Sequence, residues 1–233
     1  MNENNNYQVE VTGGAEMTQT LSAYITKVFG TMFVGLLMTA ITAFYFLSSG
    51  LIFTLGSALY FFLIAEVLLV VWMSARVNKF KYGTLLTMFF FYSILNGITL
   101  STIFFVYDIG FIATAFVTTA LTFGVMAVYG AVTKNDLTRI GSLCIMVLIG
   151  GLIMFAFNWF MKSSQLDYIL SVVMLVVFVA LVAFDTQKLK SYYYGTNGDI
   201  ELQKKTGVMG ALSLYLDFIN IFLYILRIFG RKK

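Results

Sequence analysis

Glu66, Asp185 and Asp217 are carboxyl-bearing residues that stand in or at the end of long apolar stretches of this sequence. If lipid surrounds these stretches, a charge at the bilayer centre costs at least ~2.5–3.5 kcal/mol, and such residues usually mark functional sites. The chain contains no histidine, so any titration near neutral pH must use carboxylates with shifted pKa values. These acidic residues are therefore the candidate functional centre.

Asp217 is the clearest case, because it lies well inside the last apolar stretch, residues 207–229. Spacings of three and four place further polar and small residues on its face of a helix, namely Gly210, Ser213, Asn220, Tyr224 and Arg227. A polar face cannot meet lipid cheaply, which predicts a central last helix with Ser213 and Asn220 supporting Asp217 toward a cavity or polar partners. A protonated Asp217 that only hydrogen-bonds a neighbour is the alternative.

Asp185 ends the sixth apolar stretch in the sequence FDTQKLK. A helix C-terminus disfavours anions, so this carboxyl group needs a partner. One reading is an i, i+3 surface pair with Lys188, and the other is a contact with Asp217 where the last two helices approach. Two carboxyls in contact would lose their protons in coupled steps and act as a pH sensor. When ionised, they would offer Ca²⁺ the oxygen ligands it prefers.

The second apolar stretch carries two supporting candidates. Glu66 stands near mid-span and is expected to be buried, either protonated or lining a pathway. Arg76 begins a basic loop, and its simplest interpretation is a side chain that reaches out to lipid headgroups. Asn96 and Thr99 of the third stretch either line a cavity or form hydrogen bonds between helices.

The composition indicates which elements must position these residues. Hydrophobic residues make up 60% of the chain, charged residues only 11%, and the mean hydropathy is +0.88. Soluble proteins carry about 25% charged residues, and β-barrel strands give short alternating segments instead of long continuous runs. The sequence therefore predicts an all-α polytopic membrane protein. One cysteine excludes a disulfide framework or a thiolate metal cluster, and we expect no cofactor and no nucleic-acid partner.

Seven stretches are long enough to cross a bilayer as helices, which takes about 20 apolar residues each. The predicted spans are 28–48, a second that follows the Ser48–Gly50 break and ends near 75, 82–105, 109–131, 140–161, 166–187 and 207–229. They form one domain, 21–230, between a polar N-terminal tail (1–20) and a basic C-terminal tail (231–233). The apolar periodicity that begins at Leu21 predicts either a short interfacial helix or an outward extension of the first span.

The basic loops predict the orientation. Nine Lys and Arg residues fall in three alternate connections, at positions 76, 79, 81, 134, 139, 188, 190, 204 and 205. The positive-inside rule makes that face cytoplasmic and places the N-terminus there as well. The Asn-rich, acidic start of the chain lacks the basic region of a cleaved signal peptide. Seven full crossings put the basic C-terminal tail on the outer face, against the positive-inside rule. The prediction of a full crossing is therefore weakest for the last of the seven spans.

Two long sequence segments carry a family resemblance: AFDTQKLK at 183–190 and ALSLYLDFINIFLYILRIFG at 211–230. They resemble the bacterial branch of the Bax inhibitor-1 family, and the similarity continues through LNGITLSTIF (95–104) and YGAVTKNDL (129–137). The resemblance implies a seven-helix protein of the inner membrane whose last helix is wrapped by the other six, and a pH-dependent calcium leak.

The resemblance also assigns roles to residues. The family's paired aspartates match Asp185 and Asp217, whose hydrogen bonding is expected to hold a closed state. The nearest counterpart of the family's gating arginine is Arg76, although an alignment on Trp72 and Met73 puts that position at Ser74.

Three functions follow from these expectations. The first is a pH-sensitive leak for Ca²⁺ or other cations, gated by Asp185 and Asp217. The second is a non-conducting regulator that binds other membrane proteins, and the third is a proton-coupled transporter of a small solute. An aspartyl intramembrane protease would also use two aspartates, but Asp217 lies in LYLDF and lacks the GxGD context, so we expect no enzymatic activity.

Overall fold

The computed structural model describes residues 20–56 and 58–230, so the predicted tail 231–233 and all but the last residue of the predicted tail 1–20 lie outside it. The described part is helical throughout, without strands. Its helices are α1 (Leu21–Ser48), α2 (Ile52–Leu55), α3 (Ala58–Ala75), α4 (Tyr82–Leu100), α5 (Ile103–Val106), α6 (Ile109–Val132), α7 (Thr138–Met161), α8 (Ser164–Gly195) and α9 (Ile200–Phe229). A 3₁₀ turn, Val77–Lys79, follows α3.

Seven segments within these ranges are long and apolar enough to cross a membrane, as the sequence predicts. They are α1, α3, α4 together with α5, α6, α7, α8 and α9. The predicted all-α, seven-span fold is therefore confirmed, while the direction in which the spans cross stays a prediction.

The first span begins earlier than predicted. Thr20 caps α1 by accepting a hydrogen bond from the backbone N–H of Ala23 (3.3 Å). From Leu21 the helix runs to Ser48 without a break. Of the two readings of this segment, the outward extension of the first span is correct and the separate interfacial helix is wrong.

The third span is interrupted between α4 and α5, where one helix was predicted. The hydroxyl of Ser101 donates to the carbonyl of Ile98 (2.6 Å), and that of Thr102 donates to the carbonyl of Thr99 (2.8 Å). Hydroxyls that bond to preceding carbonyls compete with the helical ladder and bend the backbone. These hydroxyls therefore account for the interruption, which proline cannot cause because the chain has none.

The last two spans are longer than the sequence analysis predicts. The polar segment 191–206, taken there as a connection, is helical except at 196–199. Asp199 caps α9 through the N–H of Leu202 (3.0 Å), and Glu201 pairs with Lys205 one turn later. With 32 and 30 residues, α8 and α9 are about 48 and 45 Å long, well beyond a hydrocarbon core of about 30 Å. Each of these helices is therefore longer than a single crossing requires.

The last helix is the most buried of the seven spans. It packs against α1, α4, α6 and α8, while α3 packs on α4 and α7 packs on α8. Most of the surface of α3 and α7 is apolar and exposed, as expected for helices that face lipid. The wrapping of the last helix by all six others stays a prediction.

Glycines allow three helices to approach α8 closely near Asp185. A side chain at Gly130 of α6 would overlap the backbone carbonyl of Ala183 on α8. Gly141 of α7 lies against Phe184, and Gly210 of α9 lies against Leu189. Small residues at such crossings are how helices pack closely in membranes. The region around Asp185 is therefore tightly packed on three sides.

A glutamine of α8 also holds the loop between α6 and α7. The side chain of Gln187 accepts from the N–H of Leu137 (2.9 Å) and donates to the carbonyl of Asn135 (2.7 Å). In the same loop, the hydroxyl and N–H of Thr138 both donate to Asp136, which lowers the pKa of that carboxyl group. The loop is thus fixed to α8 two residues beyond Asp185.

Replacing Gly130 with alanine tests the close crossing of α6 and α8. The added methyl group would meet a backbone carbonyl that cannot rotate away, so Gly130→Ala should lower the free energy of unfolding by about 1–3 kcal/mol. Gly124→Ala is the matched control, because a methyl group on that residue of the same helix meets open space. Thermal unfolding in detergent measures both variants, and equal stabilities would contradict the close crossing.

Replacing Gln187 with alanine tests the attachment of the loop. Both hydrogen bonds to the loop backbone are lost, so amide exchange of residues 133–137 should become roughly tenfold faster. Gln165→Ala serves as the control, since Gln165 is exposed on the same helix. Hydrogen exchange followed by mass spectrometry provides the measurement. An unchanged exchange rate in this loop would argue against the attachment.

Candidate functional site

The two predicted aspartates lie together between the last two helices. The carboxyl groups of Asp185 on α8 and Asp217 on α9 are within hydrogen-bonding reach of each other. Asp217 is only 4% exposed, and its Oδ2 has no donor among the described residues. Because an ionised carboxylate has only acceptor atoms, these groups form a hydrogen bond only when one of them carries a proton. A hydrogen bond between these two groups would therefore need at least one bound proton.

Few other charges act on this aspartate pair. Lys188, one turn along α8, interacts electrostatically with Asp185. Its ammonium group, however, lies over the rings of Phe184 (5.5 Å) and Tyr192 (5.3 Å). The i, i+3 pair with Lys188 considered in the sequence analysis is therefore an indirect interaction, and Asp217 provides the direct contact. Cys144 of α7 is also buried, and it lies within electrostatic range of Asp217.

The polar face of α9 packs along α8. Gly210 lies against Leu189 near one end, the ring of Tyr224 stacks on Phe178 (centroids 5.9 Å apart) further along, and Asp217 faces Asp185 between them. The polar face was expected to meet either a cavity or polar partners. At Asp217 these contacts show a polar partner on the neighbouring helix α8.

The two supporting residues on that face, Ser213 and Asn220, are partly buried. The Asn220 amide donates to the carbonyl of Leu216 in its own helix (2.8 Å). This bond leaves the other amide hydrogen and the side-chain oxygen of Asn220 for a partner beyond its own helix.

An ion pair closes the far end of the same interface. Arg227, the last polar residue of the face, donates through Nε to the carboxylate of Asp167 at the start of α8 (3.0 Å) and through its Nη2 as well. Its guanidinium also lies over the ring of Phe155 on α7 (4.9 Å). Bidentate pairs of this kind set geometry as well as energy. Asp167 therefore belongs to the site's framework.

Glu66 belongs to a second polar cluster, on the other side of α9. Its carboxylate accepts from the amide of Asn96 (3.1 Å) and the hydroxyl of Thr99 (2.8 Å), both on α4. Asn96 in turn accepts from the hydroxyl of Tyr215 on α9 (3.0 Å), which is 2.6 Å from the hydroxyl of Thr39 on α1. Hydrogen bonding between helices therefore accounts for Asn96 and Thr99. The chain of bonds joins α3, α4, α9 and α1.

Arg76 lies apart from both clusters. It is exposed at the end of α3, and within the described ranges its side chain forms no hydrogen bond or ion pair with Asp185 or Asp217. Arg76 as a gate latch stays a prediction.

The aspartate pair provides few ligands for a resident metal ion. Among residues 20–56 and 58–230, no third His, Cys, Asp or Glu joins the two carboxylates. Ca²⁺ takes six to eight oxygen ligands in a stable site, so the two carboxylates alone do not make up such a site.

Two residues of this second cluster, Tyr215 and Thr39, were not predicted from the sequence. Tyr215 is fully buried and lies two residues before Asp217, but a tyrosine in an aromatic-rich apolar helix looks like a packing or lipid-facing residue. Threonine is likewise a common residue type in membrane helices, so Thr39 does not stand out in the sequence. The only available signal was that Tyr215 and Asn96 both carry polar groups at the depth of the acidic residues.

Comparison with known proteins places the chain in a family. A family model described as "Inhibitor of apoptosis-promoting Bax1" matches residues 21–233. Inner membrane protein YbhL of Escherichia coli (strain K12) is 42% identical over 218 residues, which cover 91% of this chain and 93% of that protein. An uncharacterized protein of Borreliella burgdorferi is 37% identical over 90% of this chain and 92% of its own, and protein RP147 of Rickettsia prowazekii is 36% identical over 91% of both. The chain, with its seven apolar spans, is an integral membrane protein that belongs to the Bax inhibitor-1 family.

Proposed function

We propose that this protein is a pH-controlled cation leak of the inner membrane, with Ca²⁺ as its main permeant ion and the Asp185–Asp217 contact as its gate. The observation that carries the proposal is that two carboxyl groups, the buried Asp217 and the half-buried Asp185, lie within hydrogen-bonding reach of each other between two spanning helices. A structural role alone would be served at lower cost by an apolar pair.

The gate follows from the charge of the pair. With one proton bound, the two carboxyls attract each other and hold α8 against α9. When the last proton leaves, two like charges stand at hydrogen-bond distance, and the nearest cation, Lys188, is not directly bound to either. Repulsion then favours separation of the two helices. The ionised oxygens that are exposed would attract a divalent cation more strongly than a monovalent one.

The surrounding polar residues support a path beside the pair. Ser213 and Asn220 lie one turn to either side of Asp217 on the same face, and both are partly buried. If α8 and α9 separate, these residues would line the opened space together with Asp217. Their neutral oxygens could replace part of the hydration shell of the ion.

The basic residues suggest which face is cytoplasmic. The nine Lys and Arg residues counted in the sequence lie in the connections α3–α4 and α6–α7, at the start of α7, and in the adjoining ends of α8 and α9. By the positive-inside rule, these connections and the N-terminus face the cytoplasm. Asp185 then lies toward the cytoplasmic end of its helix, where the pair would respond to internal pH.

One observation favours the non-conducting regulator as a second candidate. The polar face of α9 packs directly against α8 at Gly210, Asp217 and Tyr224. A regulator needs no passage, and the exposed apolar faces of α3 and α7 would offer contacts to other membrane proteins.

Ion flux from proteoliposomes of wild type and Asp217→Asn tests the leak. Wild-type Ca²⁺ flux should rise as pH rises through the loss of the last shared proton, by at most about tenfold per pH unit because one proton controls it. Asparagine does not ionise, and its amide can donate to Asp185, so the variant should show low flux that does not depend on pH. A calcium-sensitive dye inside the vesicles reports the flux between about pH 6 and 8.

Asp136→Asn is the matched control for this experiment. Asp136 lies in the loop between α6 and α7, is fully exposed, and should keep the wild-type pH profile when replaced. Identical pH profiles for wild type and Asp217→Asn would refute the gate. No flux from wild type at any pH would refute the leak and favour the regulator.

A further inference from the structure

Asp217 is not the only polar anchor of α9 at this depth. Tyr215 lies two residues earlier, which places it about 200° around the helix and about 3 Å along it. Asp217 therefore faces α8, while Tyr215 faces α1 and α4 on nearly the opposite side. The helix is held between two polar contacts that act in opposing directions.

The hydroxyl of Tyr215 lies within reach of partners on two helices. It has one hydrogen, which it donates to the side-chain oxygen of Asn96 (3.0 Å). The hydroxyl of Thr39 is 2.6 Å away, and its own hydrogen is within reach of the Tyr215 oxygen and of the carbonyls of Ser93 (2.8 Å) and Gly35 (3.0 Å). Both hydroxyls are buried, since Tyr215 is 0% and Thr39 4% exposed. Moving α9 away from α4 would therefore break a buried hydrogen bond.

Glu66 determines the direction of this chain of bonds. The Asn96 amide donates to the Glu66 carboxylate, so the Asn96 oxygen must point the other way, toward Tyr215. A reversed amide would set its oxygen against the carboxylate, which is unfavourable while Glu66 is ionised. The charge of Glu66 on α3 therefore fixes the acceptor that Tyr215 uses on α4.

Ring contacts hold the Tyr215 side chain in place around its hydroxyl. The rings of Phe89 and Tyr92 on α4 meet it edge to face, each with centroids 5.7 Å away. A phenylalanine in this position would keep both contacts and lose only the hydroxyl. Removing the hydroxyl thus isolates the hydrogen bonds from the packing.

We infer that Tyr215 is a positioning residue for the aspartate pair: its hydroxyl fixes α9 to α1 and α4, so that Asp217 is held in register with Asp185. The inference rests on the proposed function only in taking the aspartate contact as the closed state. Any movement of α9 that separates the pair must also strain the bonds of Tyr215, and Glu66 supports those bonds through Asn96.

The groups that face this part of α9 are few. Toward the aspartate pair they are Lys188 on α8 and Cys144 on α7. Toward Tyr215 they are Tyr92 on α4 and Glu66 on α3. At this level α1 contributes Thr39, and α6 contributes the apolar rings of Phe116 and Phe123 against Phe218. A change at Tyr215 therefore reaches the aspartates through the position of α9 itself.

The single cysteine of the chain gives a direct reading of this position. Cys144 is buried, and it lies within electrostatic range of Asp217. Its reaction with a membrane-permeant maleimide needs water and thiolate, so it should be slow while α8 and α9 are closed and faster once they separate. The reaction can be followed on the full-length protein in native membranes over a range of pH, with each rate divided by that of the denatured protein at the same pH to remove the ionisation of the thiol itself.

Tyr215→Phe should raise the rate of Cys144 labelling about fivefold, the effect of losing one net buried hydrogen bond from the closed state. Because the closed state holds the shared proton, weakening it lets the pair open at lower pH. The pH midpoint of labelling should therefore fall by about 0.7 unit, which is the same fivefold factor expressed in pH. Thr39→Val removes the same link from the other side and should act in the same direction.

Tyr24→Phe is the matched control, because it also removes a tyrosine hydroxyl that joins α1 to α9, through Thr206 (3.3 Å), but far from the aspartates. It should leave both the rate and the midpoint unchanged. If Tyr215→Phe and Thr39→Val behave like Tyr24→Phe, or if wild-type labelling does not vary with pH, the inference is wrong. Labelling requires no ion flux, so the two proposals can fail separately. A shifted midpoint without any leak would support the inference and refute only the proposed function. A leak with an unshifted midpoint would refute only the inference.

Discussion

The interior of a bilayer contains no water, so every polar group placed there must find its partner within the protein. In this chain α9 meets that requirement on two sides, because it carries a buried aspartate on one face and a buried tyrosine on the other. Asp217 meets Asp185, and Tyr215 meets Asn96 and Thr39. The position of the last helix is therefore set by polar contacts as well as by apolar packing.

Close packing around α8 makes these contacts sensitive to charge. Gly130, Gly141 and Gly210 bring three helices against the segment that carries Asp185. A densely packed interface has few intermediate arrangements, and small local changes shift it between discrete states. Under the proposed gate, loss of one proton between Asp185 and Asp217 would displace whole helices, because little local adjustment is available to absorb it.

The face of a helix can be predicted from local sequence more easily than the ends of a helix or its buried hydrogen bonds. The face of α9 that carries Asp217, Asn220 and Arg227 was predictable, because residues spaced by three and four must share a face of any helix. The bounds of α8 and α9 were not, because Asp199 and Glu201 look like loop residues until capping and an i, i+4 pair extend the helix through them. Tyr215 escaped notice because its type is common in apolar helices.

By itself, the sequence determined that lipid is the solvent, that seven segments can cross it, and which residues of the last segment share a polar face. These properties depend on composition and on local periodicity, which act over one or two helical turns. Only the tertiary structure decided that this face meets α8, that Asp167 pairs with Arg227, and that Glu66 reaches Tyr215 through Asn96. Those contacts join residues 30 to 119 positions apart, and they follow from how the helices cross, which no local pattern in a single sequence specifies.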